Sequence, residues 1–443
     1  MNKRISIALG FLALICFGAL FLSSPWAVAG SHGKWGSFIP ALFTSFSSVC
    51  VTGLSIVDIA VHYTLFGQIV ILILVEIGCL GLMTCGTFLL IAVGRRLSLS
   101  REFSLMNAYG VAEVKGVRGL ICWVVGSMLV IEIIGAVLLY AHFGTVYDSV
   151  FYSIMGFCNA GFGLASDSLS AYASFPWFIF TMAAETILGG IGFLVIYNLC
   201  TYRFMRRSTG AKGRLSLHTQ VVLRFTFYLI LVAYALFLAV EWNASLAKYP
   251  LVEKLTVGFY QAVTPRTCGF SIIPTEDLTP LTRLCYIFLM FIGGAPGSAT
   301  AGIKVTTFAV LVYTCLAMCK GEQETVIYRK SIPYDIVRES IVILMALIIF
   351  VAIVMGALYL AEVKALASGA VTAEALFFEA VSAITTKGLS VGTTTRDLSV
   401  SGKFVIMAAM FVGRLGALTV VMIIGDRESS RRVRFPTEEI VVG

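Results

Sequence analysis

The chain has 443 residues, of which 58% are hydrophobic and 13% are charged, and its mean hydropathy is +0.93. A soluble domain of this length cannot bury so much apolar surface, so the composition excludes a soluble globular protein and predicts a polytopic membrane protein. The formal net charge of +8 fits basic residues at a membrane surface and does not indicate a nucleic-acid partner.

Eight apolar runs are predicted to cross the bilayer as helices, because each holds about twenty or more mostly apolar residues. They occupy residues 5–29, 65–94, 118–143, 174–202, 221–242, 281–318, 337–362 and 403–425. The first run resembles a cleavable secretory signal, but the first pair of spans needs it, so we expect it to be retained. The predicted fold class is an all-α polytopic membrane protein.

A short hairpin with a glycine at the same place lies between the two spans of each pair. The glycines Gly53, Gly161, Gly269 and Gly388 are separated by 108, 108 and 119 residues. The segment before each glycine is too short to span a bilayer but suits a half-helix that enters it. We therefore predict four fused helix–pore loop–helix repeats, with eight transmembrane helices and four re-entrant pore helices around a pseudo-fourfold pore. Their bounds are 1–96, 97–206, 207–320 and 321–425, and 426–443 form a cytoplasmic tail.

The recurring glycines predict a filter made of backbone carbonyls. Carbonyls that replace an ion's water shell must turn toward one axis, and glycine tolerates the backbone angles that this requires. The predicted filter residues are Val51, Thr52, Gly53, Leu54, Asn159, Ala160, Gly161, Phe162, Thr267, Cys268, Gly269, Phe270, Thr386, Lys387, Gly388 and Leu389. A cation in the path would repel the permeant ion. Conduction survives if only the Lys387 carbonyl faces the axis and the ammonium extends toward Glu379 or Asp397.

Residues 293–302 hold four glycines and one proline inside an apolar run, which predicts a broken helix beside a water-filled cavity. Arg414 lies midway in the last run, where inserting an arginine costs roughly 2.5 to 3.5 kcal/mol, so it must face protein or water. Its guanidinium could bind carbonyls of the broken segment or pair with Glu76, Glu132 or Glu185. Glu132 and Glu185 could form a proton or sodium relay, or simply a structural pair.

The distribution of basic residues predicts the orientation. The two termini and the connectors between repeats carry 20 lysines and arginines, whereas the hairpin side carries 9. Because basic residues accumulate on the cytoplasmic side, both termini are expected inside the cell and the hairpins outside.

The four glycine loops, the segment from Phe291 to Lys304 and the segment from Phe411 to Gly416 closely resemble the Ktr/Trk/HKT family of potassium transport proteins. With eight spans, the chain is most similar to the Ktr-type (KtrB-like) membrane subunit. The resemblance implies a gate below the filter, latched by Arg414. The gate residues that it implies are Gly293, Gly294, Ala295, Pro296, Gly297, Ser298, Ala299, Thr300, Ala301, Gly302, Lys304 and Arg414.

The resemblance also implies passive or weakly coupled K⁺ uptake across the cytoplasmic membrane, by a homodimer in the lipid bilayer. Relatives with serine at the first filter glycine lean toward Na⁺, so Gly53 favours K⁺ at the filter carbonyls. A cytoplasmic ring of nucleotide-binding regulatory subunits, similar to KtrA with its RCK fold, is the implied partner. The alternative is a Na⁺- or H⁺-coupled symporter that uses the same pore.

Other functional classes fit the sequence less well. No HExxH motif occurs, so we do not expect an enzyme, and no GxGxxG follows a strand-like run, so no nucleotide cofactor is expected on this chain. The eleven cysteines form no CxxC pair or Cys/His cluster. A secondary transporter for another solute would be expected to show inverted repeats, whereas these repeats are parallel.

Overall fold

The computed structural model describes residues 3–30, 33–81, 84, 117–165, 168–209, 215–392 and 394–416, and these residues are mostly helical. The predicted tail at 426–443 lies outside them, as do the ends of the second and eighth predicted spans. The helices are α1 (Lys3–Leu22), α2 (Phe38–Val49), α3 (Ile59–His62), α4 (Leu65–Leu80), α5 (Val117–Phe143), α6 (Val146–Cys158), α7 (Pro176–Ile191), α8 (Phe193–Thr209), α9 (Leu217–Glu241), α10 (Leu251–Thr267), α11 (Pro280–Phe291), α12 (Val305–Cys319), α13 (Tyr334–Ala361), α14 (Val363–Ala367), α15 (Ala373–Thr385), α16 (Thr394–Asp397) and α17 (Val400–Leu415). Strands β1 (Val326–Ile327) and β2 (Lys330–Ser331) form an antiparallel hairpin that pairs Val326 with Ser331.

Three helices, α5, α9 and α13, are each long and apolar enough to cross a bilayer. Only 33, 28 and 22% of their most apolar windows are buried within the protein. Large apolar side chains such as Ile133, Phe227 and Ile353 therefore point outward, where a soluble protein would place polar groups. This inverted pattern supports the predicted class, a polytopic membrane protein.

The predicted span at 174–202 consists of two helices with a bend between them. The chain bends by 95° between α7 and α8, at Gly192. Gly192 has a φ of +85°, a conformation that side chains with a Cβ rarely adopt. The bend provides a surface on which residues of another predicted repeat dock.

Four short helices, α2, α6, α10 and α15, precede the glycine motifs and have 12, 13, 17 and 13 residues. In α2, the hydroxyl residues Ser45, Ser47 and Ser48 are fully buried. Ser45 donates a hydrogen bond to the Ile15 carbonyl of α1 at 2.7 Å, which ties this short helix to the longer one beside it. The short helices therefore form the interior of the molecule and the long helices its outside.

In three predicted repeats, the helix that follows the glycine motif begins at a hydroxyl residue, which is hydrogen-bonded to a residue at or just beyond the end of the first helix of that repeat. These N-cap residues are Thr64, Thr279 and Ser399. Thr64 donates to the Trp26 carbonyl at 2.6 Å. Ser399 donates to the Glu362 carboxyl from its backbone N–H at 2.8 Å and from its hydroxyl at 2.6 Å. The caps thereby join helices that are far apart in sequence.

We expect Glu241→Ala to lower the free energy of unfolding by about 3 kcal/mol, because the substitution removes a fully buried carboxyl group and leaves its hydrogen-bond donors without an acceptor. Glu241 Oε1 accepts hydrogen bonds from the Thr279 N–H at 2.9 Å, the Thr279 hydroxyl at 2.7 Å and the Thr282 hydroxyl at 2.5 Å. Thermal unfolding of the purified protein in detergent measures the effect. Glu339→Ala, which removes an exposed carboxyl group from α13, is the control. Equal melting temperatures for the two variants would contradict the prediction.

Candidate ion pathway

The four motif glycines meet in one closed ring, which we call the glycine ring. A Cβ atom built on any of them would lie less than 3.0 Å from the carbonyl oxygen of the residue before the next glycine. These contacts run from Gly53 to Ala160, from Gly161 to Cys268, from Gly269 to Lys387 and from Gly388 to Thr52. Real side chains do not approach a carbonyl so closely, so the backbones can meet in this way only at glycine.

The backbone conformation also recurs around the glycine ring. The φ angles of Gly53, Gly161, Gly269 and Gly388 are +91°, +71°, +78° and +75°. Two residues earlier, Val51, Asn159 and Thr386 are also left-handed, with φ of +54°, +59° and +49°. A β-branched residue such as Val51 pays about 1–3 kcal/mol for this conformation, so the surrounding structure must enforce it. In the third motif the corresponding residue, Thr267, is the last residue of α10.

The short helices end directly before the glycine ring and hold its loops. Three backbone N–H groups there donate to carbonyls five residues earlier, Thr52 to Ser47 at 2.8 Å, Ala160 to Met155 at 3.0 Å and Lys387 to Ser382 at 2.9 Å. The carboxyl end of a helix carries a partial negative charge of about half an electron. Four such ends next to one ring of carbonyls therefore make the ring favourable for a cation.

A cavity of about 600 Å³ opens on the glycine ring and is lined by all four of its glycines. At roughly 30 Å³ per water molecule, it holds on the order of 20 waters. The acidic residues Asp58 and Glu276 line the cavity together with Arg396 and several serines. The glycine ring therefore opens into a cavity that charged and polar side chains help to line.

Residues between α11 and α12 are not helical, as the cluster of glycines predicted. The segment, here the 293–304 loop, closes on itself, because the Gly293 N–H donates to the Ile303 carbonyl at 2.8 Å. It docks on the bend between α7 and α8. There the Ala295 N–H donates to the Gly190 carbonyl at 2.9 Å, and the Phe193 N–H donates to the Gly297 carbonyl at 3.1 Å.

Three cations bind three consecutive carbonyls of the 293–304 loop. Arg414 donates to Ala299 at 2.6 Å, Lys304 donates to Thr300 at 2.6 Å and Lys387 donates to Ala301 at 3.0 Å. The Arg414 guanidinium also donates to the Gly78 carbonyl of α4. Of the two kinds of partner predicted for Arg414, the structure therefore shows the loop carbonyls. The ion pair found among the described residues joins Arg283 to Glu374.

The Lys387 ammonium does not extend toward Glu379 or Asp397. The side chain is completely buried and runs to the Ala301 carbonyl. Glu379 instead accepts hydrogen bonds from the hydroxyls of Ser390 and Thr395. Sequence neighbours suggested an acidic partner, but a loop from another predicted repeat lies within reach of the ammonium.

Two predicted relay residues, Glu132 and Glu185, lie beside the second short helix. Ser153 Oγ of α6 is 2.5 Å from Glu185 Oε1 and 2.7 Å from the Glu132 carbonyl oxygen. One carboxyl oxygen each of Glu76 and Glu132 and the sulfur of Cys158 lie within 4.8 Å of one another. Both carboxyl groups are therefore built into the packing around α6, and a relay role remains a prediction.

Sequence analysis missed a second glycine pattern, at which the helix after a glycine motif packs closely against the short helix before that motif. A Cβ atom on Gly78, Gly189 or Gly413 would lie less than 3.0 Å from the carbonyl of Val49, Phe157 or Ile384 respectively, each four residues before a ring glycine. Three residues further on, Gly81, Gly192 and Gly416 end the helices with φ of +76°, +85° and +85°. The recurring GxxG sequences GCLG, GGIG and GRLG were the available signal.

An apolar helical fold that encloses a ring of backbone carbonyls at the negative ends of four helices is typical of membrane proteins that pass cations. The chain belongs to the TrkH family of cation transport proteins, whose family model matches residues 19–431. The Ktr/Trk resemblance inferred from the sequence is thereby confirmed.

Individual relatives match over nearly the full length. The potassium/sodium uptake protein NtpJ of Enterococcus hirae is 33% identical over 100% of this chain and 98% of its own. The Ktr system potassium uptake protein B of Bacillus subtilis is 33% identical over 99% of this chain and 96% of its own. The crystal structure of the potassium transporter TrkH from Vibrio parahaemolyticus superposes with a TM-score of 0.74 at 16% identity, over 96% of this chain and 84% of that chain. The fold is therefore shared with TrkH.

Proposed function

We propose that this protein is the pore-forming subunit of a Ktr-type system for K⁺ uptake. The observation that carries the proposal is the closed glycine ring, in which each glycine lies against the carbonyl of the residue before the next. Membership of a cation transport family and relatives named as potassium uptake proteins support K⁺ as the permeant ion.

The proposed selectivity filter comprises residues 51–54, 159–162, 267–270 and 386–389. Their carbonyls replace the water shell of K⁺, which arrives through the hydrated cavity on one side of the glycine ring. The residue after each ring glycine, such as Phe162 or Leu389, is apolar and buried, which holds the loop against the surrounding protein. The helix ends behind the filter lower the energy of a bound cation.

The proposed gate is the 293–304 loop. Its carbonyls at Ala299, Thr300 and Ala301 accept hydrogen bonds from three basic side chains. One of these, Arg414, also donates to α4. A loop held by contacts from several elements can shift as a unit when some of those contacts are released. Arg414 is the proposed latch because it joins the loop to two long helices.

The proposed architecture has eight transmembrane helices and four re-entrant pore helices, divided at 1–96, 97–206, 207–320 and 321–425. Both termini, including the tail at 426–443, face the cytoplasm, and the hairpins face outward across the cytoplasmic membrane. A homodimer in the bilayer and a cytoplasmic ring of nucleotide-binding subunits complete the proposed system. The ring docks on the basic connectors.

A second candidate is a Na⁺- or H⁺-coupled symporter with the same pore. The name of the Enterococcus relative, which includes sodium, and the buried carboxyl groups of Glu132 and Glu185 favour it. In this candidate Na⁺ is a coupling or activating ion and the filter still passes K⁺.

Ion flux in proteoliposomes that contain this chain alone tests the proposal. We expect an imposed membrane voltage to drive uptake of K⁺ and Rb⁺, with Na⁺ taken up less. Uptake that follows voltage without Na⁺ or a proton gradient supports the pore, and uptake that requires either supports the symporter. Equal uptake of K⁺, Rb⁺ and Na⁺ would contradict a selective filter.

A further inference from the structure

Lys387 is part of the glycine ring and also contacts the 293–304 loop. Its carbonyl lies against Gly269, and its backbone N–H donates to Ser382 at the end of α15. Its ammonium donates to the Ala301 carbonyl at 3.0 Å. One residue thus spans from the ring to the loop, and both of its ends are held.

The environment of the Lys387 ammonium makes this contact important. The side chain is completely buried, and the charged groups that act on it, Lys304, Arg266 and Arg414, are all cationic. A buried amino group without an acidic partner depends on hydrogen-bond acceptors for its compensation. Within the described part of the chain, the Ala301 carbonyl is the acceptor that its ammonium binds.

The acceptor itself is held firmly in the loop. A Cβ atom on Gly293 would lie less than 3.0 Å from the Ala301 carbonyl oxygen, so the two loop strands are in close contact there. The Ile303 N–H donates to the Phe291 carbonyl at 3.0 Å, which fixes the base of the loop. The Ala301 carbonyl therefore moves when the base of the loop moves, and the Lys387 ammonium loses its acceptor if the loop leaves.

We propose that Lys387 couples ion occupancy of the glycine ring to the position of the 293–304 loop. A K⁺ ion at the ring binds the Lys387 carbonyl and thereby fixes the position of this residue. The fixed side chain keeps its hydrogen bond to the Ala301 carbonyl, and this bond stabilises the loop in the position described here. By linkage, a loop held in this position favours K⁺ at the ring by the same factor. The coupling rests on the proposed filter and gate, and it makes Lys387 a positioning residue.

Hydrogen–deuterium exchange of the full-length protein in lipid nanodiscs, in K⁺ and in choline, tests the coupling. In the wild type, K⁺ is expected to slow exchange of the filter amides at 386–390 and of the loop amides at 293–303, each by about tenfold. In Lys387→Met the filter amides are expected to keep this response and the loop amides to lose it. Lys387→Arg, which retains a cationic donor, is expected to restore the loop response.

Lys254→Met is the matched control, because it removes a lysine that donates to a backbone carbonyl, that of Trp242 at 3.2 Å, away from both the ring and the loop. Its loop amides are expected to keep their response to K⁺. A loop response that survives in Lys387→Met would overturn the coupling.

Because methionine could disturb the ring, Lys387→Gln serves as a second variant. Loss of the filter response in both variants would overturn the coupling too, since Lys387 would then only support the ring. A wild type in which K⁺ slows neither segment would instead contradict the proposed filter, and the coupling would fall with it.

Discussion

Replacing Gly53 by serine is expected to lower the ratio of K⁺ to Na⁺ uptake by about tenfold or more, which corresponds to about 1.4 kcal/mol. A side chain at residue 53 would meet the Ala160 carbonyl at less than 3.0 Å, and the φ of +91° disfavours any residue with a Cβ. The Ala160 carbonyl must therefore move away from the ring, and K⁺ loses a well-placed ligand. Uptake of Rb⁺ and Na⁺ into proteoliposomes, measured in parallel, gives the ratio.

Gly163→Ser is the matched control, because it makes the same change two residues after a ring glycine. A Cβ atom on Gly163 would have its nearest neighbour at 3.4 Å, an ordinary contact, and its φ lies outside the left-handed region. We expect this variant to keep the wild-type uptake ratio within about twofold. An unchanged ratio in Gly53→Ser would remove Gly53 from the proposed filter.

Deletion of residues 295–300 is expected to raise K⁺ uptake by about tenfold or more if the 293–304 loop is the gate. The deletion removes the loop contacts with Gly190, Phe193 and Arg414, each worth about 1–2 kcal/mol. Gly293 is hydrogen-bonded to Ile303, so the two flanks lie close enough to be rejoined. Initial rates of Rb⁺ uptake by the chain alone, normalised to protein in the vesicles, measure the change.

A point substitution separates release of the loop from the effect of shortening it. Arg414→Met removes the bonds to Ala299 and Gly78 while it keeps the loop intact, and we expect uptake to rise several-fold. Arg283→Met, which removes the arginine paired with Glu374, is the control for loss of a cation and should leave uptake unchanged. If neither the deletion nor Arg414→Met raises uptake, the loop is not the gate.

Several features of the site were predictable from sequence because they depend on local backbone chemistry. The regular spacing of Gly53, Gly161, Gly269 and Gly388 indicated a recurring backbone need, and all four have positive φ. The cluster of glycines and Pro296 predicted that the helix would break between Phe291 and Val305, and it does. The GxxG sequences had the same local origin but were overlooked, because a glycine inside an apolar helix also reads as ordinary helix packing.

The class of protein, the positions of most helices and the break in the sixth predicted span follow from the order of residues, because composition, apolar run length and glycine or proline content act locally. Which groups meet depends on how the helices pack together. This packing joined the ring glycines in chain order, folded α7 and α8 around the 293–304 loop and directed Lys387 to Ala301. Arg414 likewise donates hydrogen bonds to backbone carbonyls, whereas carboxylates were the alternative partners that the sequence suggested. A buried cation binds whichever acceptor the packing brings within reach, and residue order along the chain does not specify that acceptor.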